Sequence, residues 1–288
     1  MRLRITTIGF AVIFFHVITG GPVVTLGIPQ RPSTAGETSQ SNLAERLWEQ
    51  AIAAKGGQEA LYSVRSLVVS ARGDYSSRKL KKNQLRQEVL SVLPDKFWSW
   101  SDYRPDVFGL RIEMYDYAKS VKYVISDGEP NRQLEPIDEV DKKNGNVLWS
   151  LLPYLLETKW LKPVLVGAKA GTVEQETVDI VETDVEGKRV DFAFDRKTYL
   201  PIRISYYSTY KNKTYVTAID LADYIEAGGI KLPQTVRYDD GTQYRNIYQL
   251  NVEYNEDIFI KPTRIEDGSE AWKPIAARRN IQGNLSRQ

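Results

Sequence analysis

Two residue types that carry much of protein chemistry are nearly missing. The 288-residue chain has one histidine, His16, and no cysteine. His16 stands in an apolar stretch near the N-terminus, so an exported form would lack imidazole and thiol alike. That removes most nucleophilic triads, thiol chemistry and histidine-based metal sites. No G-x-S-x-G, phosphate-cradling glycine loop or zinc signature occurs. An enzyme would therefore rest on carboxylate, Lys, Ser or Tyr groups that no motif places. The acidic groups Asp138, Glu139 and Asp141, and Asp179, Glu182, Asp184 and Glu186, lack the ordered ligand spacing of a calcium loop and read as solvated turns. No cofactor and no metal is expected. The basic run from Tyr75 to Lys82 reads as a hairpin tip or as a contact for acidic headgroups or a protein.

Aromatic residues give the strongest local signal. Trp98 and Trp100 are two apart on one segment, hence on one face of a strand, with Tyr115, Tyr117 and Tyr123 following, then Phe192, Phe194, Tyr206 and Tyr207. They either fill a sheet core or line a cavity for apolar chains.

The elements that would position them can be read along the chain. Residues 1–27 join basic Arg2 and Arg4 to the apolar run Ile5 to Ile18 and then to small residues, the pattern of an export signal or an uncleaved N-terminal anchor. Without Arg2 and Arg4, 37 basic residues face 37 acidic ones, a balance that does not point to nucleic acid. Residues 28–41, rich in Pro, Ser, Thr, Gly and Gln, read as a disordered linker. From Asn42 the spacing predicts a helix to about Lys55: Asn42 and Glu45 suit a capping box, Leu43, Leu47, Trp48, Ala51 and Ile52 form an apolar stripe, and Gly56-Gly57 ends it.

A short helical turn around Glu59 to Leu61 precedes a long strand-rich region to Tyr254. Leu110, Ile112 and Met114 alternate with Arg111 and Glu113, and Val190, Phe192 and Phe194 alternate with Arg189 and Asp191. Ile202, Ile204 and Tyr206, then Tyr244, Tyr248, Leu250 and Val252, repeat the pattern. Strands packed on one face and solvated on the other predict an antiparallel sheet. Short turn signals at Glu186-Gly187, Asp195 to Thr198, Gly228-Gly229 and Asp239 to Gly241 favour sequential neighbours. One apolar helix interrupts this meander, through Val147, Leu148, Trp149, Leu151, Leu152, Leu155 and Leu156, with Pro153 expected to kink or end it. It is expected to be buried, or to cover an apolar surface as a lid. Residues 263–288 lose periodicity and read as an irregular tail on which Trp272 docks back.

In order and spacing, several segments resemble the LolA/LolB-like lipoprotein-carrier family of bacterial envelopes. They are Ala53-Ala54-Lys55-Gly56-Gly57 with Ala60, Leu61 and Val64 before the strand Ser66 to Gly73; Asp195 to Ile204 around Pro201; Asp223-Tyr224 followed by Gly229 to Pro233; and Asn255, Phe259 and Pro262. The resemblance spans residues 42–262 and implies a mainly β (α+β) fold: a curved antiparallel half-barrel sheet, with the N-terminal helix and the inserted apolar helix packed on its concave side. It departs from the family in lacking the cysteine of the lipid-anchored receptor. It implies a periplasmic or secreted protein that holds a lipid or lipoprotein acyl chain between sheet and helices, as a carrier or chaperone, with transient membrane contact and an envelope protein as a further partner. The cavity lining expected is Trp98, Trp100, Met114 and Tyr123 from one half of the sheet, Leu148, Trp149, Leu152 and Leu155 from the inserted helix, and Phe192, Phe194, Ile204 and Tyr206 from the other half. The alternatives are a sensor or interaction module whose interior is filled by its own side chains, and a carboxylate-based hydrolase with two acids converging in a cleft.

Overall fold

The computed structural model describes residues 34–75, 83–104, 109–126, 133–138, 147–210 and 213–275. The export signal or anchor, the first part of the linker, most of the basic run, Glu139, Asp141 and the end of the tail lie outside the described residues. Among the described residues no helix is long and apolar enough to cross a membrane.

The chain opens with α1 (Thr34–Lys55) and α2 (Gln58–Ser63). Helix α1 begins eight residues before Asn42, inside the expected linker, so Asn42 does not cap it. Extending a helix adds one bond per residue fixed, whereas starting one is the costly step. Once the buried part of α1 is docked, a stretch that includes the good helix formers Ala35, Glu37 and Gln40 can therefore continue it backwards. The buried stripe runs through Ala44, Leu47, Trp48, Ala51, Ile52 and Lys55. Leu43, assigned to that stripe from the sequence, is exposed.

Thirteen strands then form one antiparallel sheet: β1 (Ser66–Tyr75), β2 (Asn83–Val92), β3 (Lys96–Asp102), β4 (Leu110–Asp116), β5 (Val121–Ser126), β6 (Glu135–Pro136), β7 (Val164–Val173), β8 (Glu176–Val185), β9 (Lys188–Asp195), β10 (Pro201–Tyr210), β11 (Lys213–Ala227), β12 (Ile230–Tyr238) and β13 (Gln243–Leu250). Their order is β6-β5-β4-β3-β2-β1-β13-β12-β11-β10-β9-β8-β7, a curved and unclosed sheet of the half-barrel type. Sequence neighbours are spatial neighbours, as the short turns required. Glu186-Gly187 and Gly228-Gly229 both have positive φ at the two central positions, the geometry that matches strand twist.

The pairing of β1 with β13 places the first and last strands side by side in mid-sheet and leaves β6 and β7 at opposite edges. The connection from Pro136 to Val164 must therefore pass from one edge to the other, and it carries α3 (Val147–Leu155). Pro153 lies in the last turn of α3, and Leu156, at φ +61°, ends the helix in the left-handed region.

The apolar stripe of the sheet changes face along its width. From β8 to β13 and on to β1, the residues under α1 and α3 form the main core, including Val181, Phe192, Phe194, Ile204, Ile219, Leu232, Val236, Tyr248 and Leu67. Across β1 to β5 a second row, Val68, Leu90, Trp98, Met114 and Tyr123, runs strand to strand in register on the outer face. That row is roofed by Ile258 and Phe259 of a 3-10 turn (Glu256–Phe259) and by Ala271 and Trp272. Trp272 docks as expected, together with Ala271, after two short 3-10 turns within Ile265–Glu270 that meet at the non-helical Gly268.

The polar face of β4 is not solvated, as simple alternation would have it. Glu113 is buried and accepts from Arg111 Nε at 2.5 Å, its cross-strand partner Ser99 is buried, and so are Ser101 and Gln87 in the row of Arg111, with Gln87 Nε2 donating to Ser101 Oγ at 3.0 Å. The sheet is thus covered on both sides here, so the charge has to be paired inside.

Candidate functional site

The main core lies on the concave face, under α1 and α3. Trp48 of α1 sets its ring edge-on against Phe192 and Phe194, at centroid distances of 5.1 and 6.1 Å. Its Nε1 donates to Glu157 Oε2 at 2.8 Å. The other oxygen of Glu157 accepts from Tyr62 Oη at 2.7 Å and from Gln58 Nε2 at 3.5 Å. A buried carboxylate needs such donors to replace the water it has lost. Here the donors come from α1 and α2, and they tie down the chain just after α3.

The opposite end of α3 has its own tie. Trp149 Nε1 donates to Glu186 Oε2 at 2.7 Å, Lys188 Nζ stands 4.8 Å over the indole, and Tyr206 lies 6.1 Å away. Between the two ties every residue of α3 except Trp149 and Ser150 is buried. Tyr154 meets Tyr248 edge-on at 5.6 Å. Tyr248 donates to Pro233 O and receives Asn246 Nδ2 at 3.1 Å. Burial raises the Tyr154, Tyr206, Tyr224, Tyr238 and Tyr248 phenols above their ordinary range, so all five stay neutral at physiological pH.

Little space remains in the cavity at the contact of α3 with the sheet. A cavity of about 20 Å³ lies between Ser150, Leu151 and Tyr154 of α3 and Val69, Val89, Val236 and Asn246 of the sheet, room for about one water. A drug-sized guest needs roughly 300 Å³ or more. In this conformation α3 fills the hollow.

The twelve residues expected to line one cavity divide between the two faces. Leu148, Leu152, Leu155, Phe192, Phe194, Ile204 and Tyr206 lie in the concave core, with Trp149 half-buried against it. Trp98, Met114 and Tyr123 lie in the outer cluster, with Trp100 packed beside them. Tyr123 is tied to the C-terminal segment, donating to Ile258 O at 3.0 Å, and burial pushes its phenol up to about 12. The two sets belong to separate clusters. Counting alternation assigns residues to a common face of one strand but not to the same face of a sheet whose apolar stripe crosses over.

Sequence reasoning missed Glu157, Tyr62, Tyr154, Asn246 and Lys55. Lys55 is the most unusual of them: it is 0 % exposed, its amine has no hydrogen-bond partner among the described residues, and Nζ stands 5.2 Å from the centroid of the Tyr224 ring. Loss of hydration lowers it to about 7. The signal was available, because Lys55 follows Ala44, Trp48 and Ala51 at helical spacing on the apolar stripe.

The acidic residues of β8 and its turn are already engaged. Asp179 accepts from Arg196, Glu182 from Lys169 and Arg189, and Asp184 from Gly187 N. Asp138 pairs with Lys122 at 3.1 Å. Among the described residues no group of three or more His, Cys, Asp or Glu is placed to hold a metal ion.

No family model matches the sequence, and no curated protein matches it. Among solved structures, the fold is similar to a putative outer membrane lipoprotein-sorting protein domain from Vibrio parahaemolyticus, at 11% identity and a TM-score of 0.45, covering 77% of this chain and 97% of that one. It is likewise similar to a LolA superfamily protein from Nitrosomonas europaea, at 12% identity and a TM-score of 0.46, covering 77% of this chain and 98% of that one.

Proposed function

We propose that this is an exported envelope protein that binds an apolar or amphipathic guest, a lipid or lipoprotein acyl chain, on its concave face and carries it without covalent chemistry. The guest takes the place of α3. The observation that carries this reading is α3 itself: an apolar helix laid over an apolar sheet face and fastened through indole-to-carboxylate hydrogen bonds beside its two ends.

Magnitudes favour a reversible exchange. Burying Val147, Leu148, Leu151, Leu152 and Leu155 at about 2 kcal/mol each gives α3 roughly 10 kcal/mol of gross apolar stabilisation. A sixteen-carbon chain, at about 0.8 kcal/mol per methylene, offers roughly 12 kcal/mol. Two occupants so close in gross energy can displace one another when α3 has an alternative place to go.

The test is a titration with dodecanoate and lysophospholipid, following tryptophan emission, on wild type and on a variant with α3 loosened by Glu157→Gln and Trp149→Phe. Binding by both, and about tenfold tighter in the loosened variant, supports the exchange. No binding by either overturns it. That result would favour the second reading, an interaction or sensor module whose interior is permanently occupied, for which the 20 Å³ cavity is the supporting observation.

A further inference from the structure

Among the described residues the Lys55 amine makes no hydrogen bond or ion pair that would hold the closed form together. It does not cap α1, whose closing carbonyls on Ile52 and Ala53 already receive Gly57 N and Gly56 N. A methionine would fill the same space without desolvating a charge. The end of α1 is pressed against the β11–β12 hairpin, since a Cβ on Gly56 would lie 2.2 Å from Gly229 O. From there a row of rings leads to α3. Lys55 stands over Tyr224, Tyr224 pairs across the strands with Pro233, whose carbonyl accepts from Tyr248, and Tyr248 meets Tyr154 of α3.

We infer that Lys55 is the recognition residue for an anionic head, a carboxylate or phosphate monoester, on the guest whose chain replaces α3. This rests on the reading proposed above and names the class of guest. Among the described residues the titratable group facing Lys55 is Tyr224, whose hydroxyl donates to Pro201 O and stays neutral. Among the described residues no carboxylate bears on the amine, and burial lowers it to about 7. An arriving anion supplies the missing partner and restores the charge, so binding takes up a proton at mildly alkaline pH. A neutral head takes up none.

The experiment is calorimetric titration of the full chain at pH 8 with dodecanoate, dodecyl phosphate and dodecanol, each in two buffers of different ionisation enthalpy. The inference expects about 0.9 proton taken up with either anionic probe, none with dodecanol, and an anionic preference of about tenfold or more. Lys55→Met abolishes the uptake and the preference while keeping dodecanol affinity. Preference for one anionic probe over the other identifies the head. Acetate and inorganic phosphate, which lack the chain, should not bind measurably at millimolar concentration. Equal affinities with no proton uptake overturn the Lys55 assignment and leave the carrier reading standing. Failure of all three amphiphiles to bind overturns both.

Discussion

Replacing Lys55 by methionine should stabilise the protein, by an amount that shrinks as pH rises. The folded chain releases the Lys55 proton near 7 and the unfolded chain near 10.5. Between those values the unfolded chain binds more protons, so stability increases with pH across this window. The penalty is complete below about pH 6 and gone above about pH 10.5. At about 1.36 kcal/mol for each pH unit it amounts to roughly 5 kcal/mol at its full value, about 4 kcal/mol at pH 7 and less than about 1 kcal/mol at pH 10.5. For a chain of this length, with about 2 °C per kcal/mol, Lys55→Met should melt about 8 °C higher at pH 7. Urea unfolding of both proteins at pH 6, 7, 9 and 10 measures the difference directly, because other titrating groups cancel in the comparison. A constant difference across pH, or a loss of stability at pH 7, would refute the assignment of Lys55 as a buried amine without a partner.

Other substitutions separate the two faces of the sheet. Glu157→Ala leaves the Trp48 indole and Tyr62 hydroxyl without their acceptor and should cost about 2–3 kcal/mol in urea unfolding, with the m-value unchanged. Trp98→Ala should cost about 3–5 kcal/mol while leaving dodecanol affinity at wild-type level, because Trp98 lies in the outer cluster under the C-terminal segment; weakened binding would place the guest on the outer face. Gly56→Ala, with φ at +126° and a Cβ 2.2 Å from Gly229 O, should cost more than about 4 kcal/mol, seen as a large drop in the urea midpoint.

Local pattern carried most of the fold. Period-two alternation and two-residue turns prescribed the antiparallel meander, and α1, α2 and α3 all stand at stretches marked by helical spacing. What local pattern does not encode is which side of the sheet a given apolar row occupies. Trp98 and Phe192 carry the same signature in sequence, yet the first is covered by Phe259 and Trp272 and the second by Trp48. The long-range pairing of β1 with β13 and the roof supplied by the last segment decide the matter. Glu157 was equally opaque, since a lone glutamate after an apolar helix looks like any solvated residue until Trp48 and Tyr62, about a hundred positions earlier, converge on it. The early start of α1 has a different cause, because composition reports the cost of nucleating a helix but not the ease of extending one already docked.

Hydrogen exchange of the hydrogen-bonded α3 amides, Leu151 to Leu156 apart from Pro153, with and without saturating dodecanoate tests the central claim most directly. If the guest takes the helix's place, these amides lose protection on binding while those of β9 and β10 keep theirs. Bound dodecanoate with α3 as protected as before would contradict the exchange and leave the concave face permanently filled.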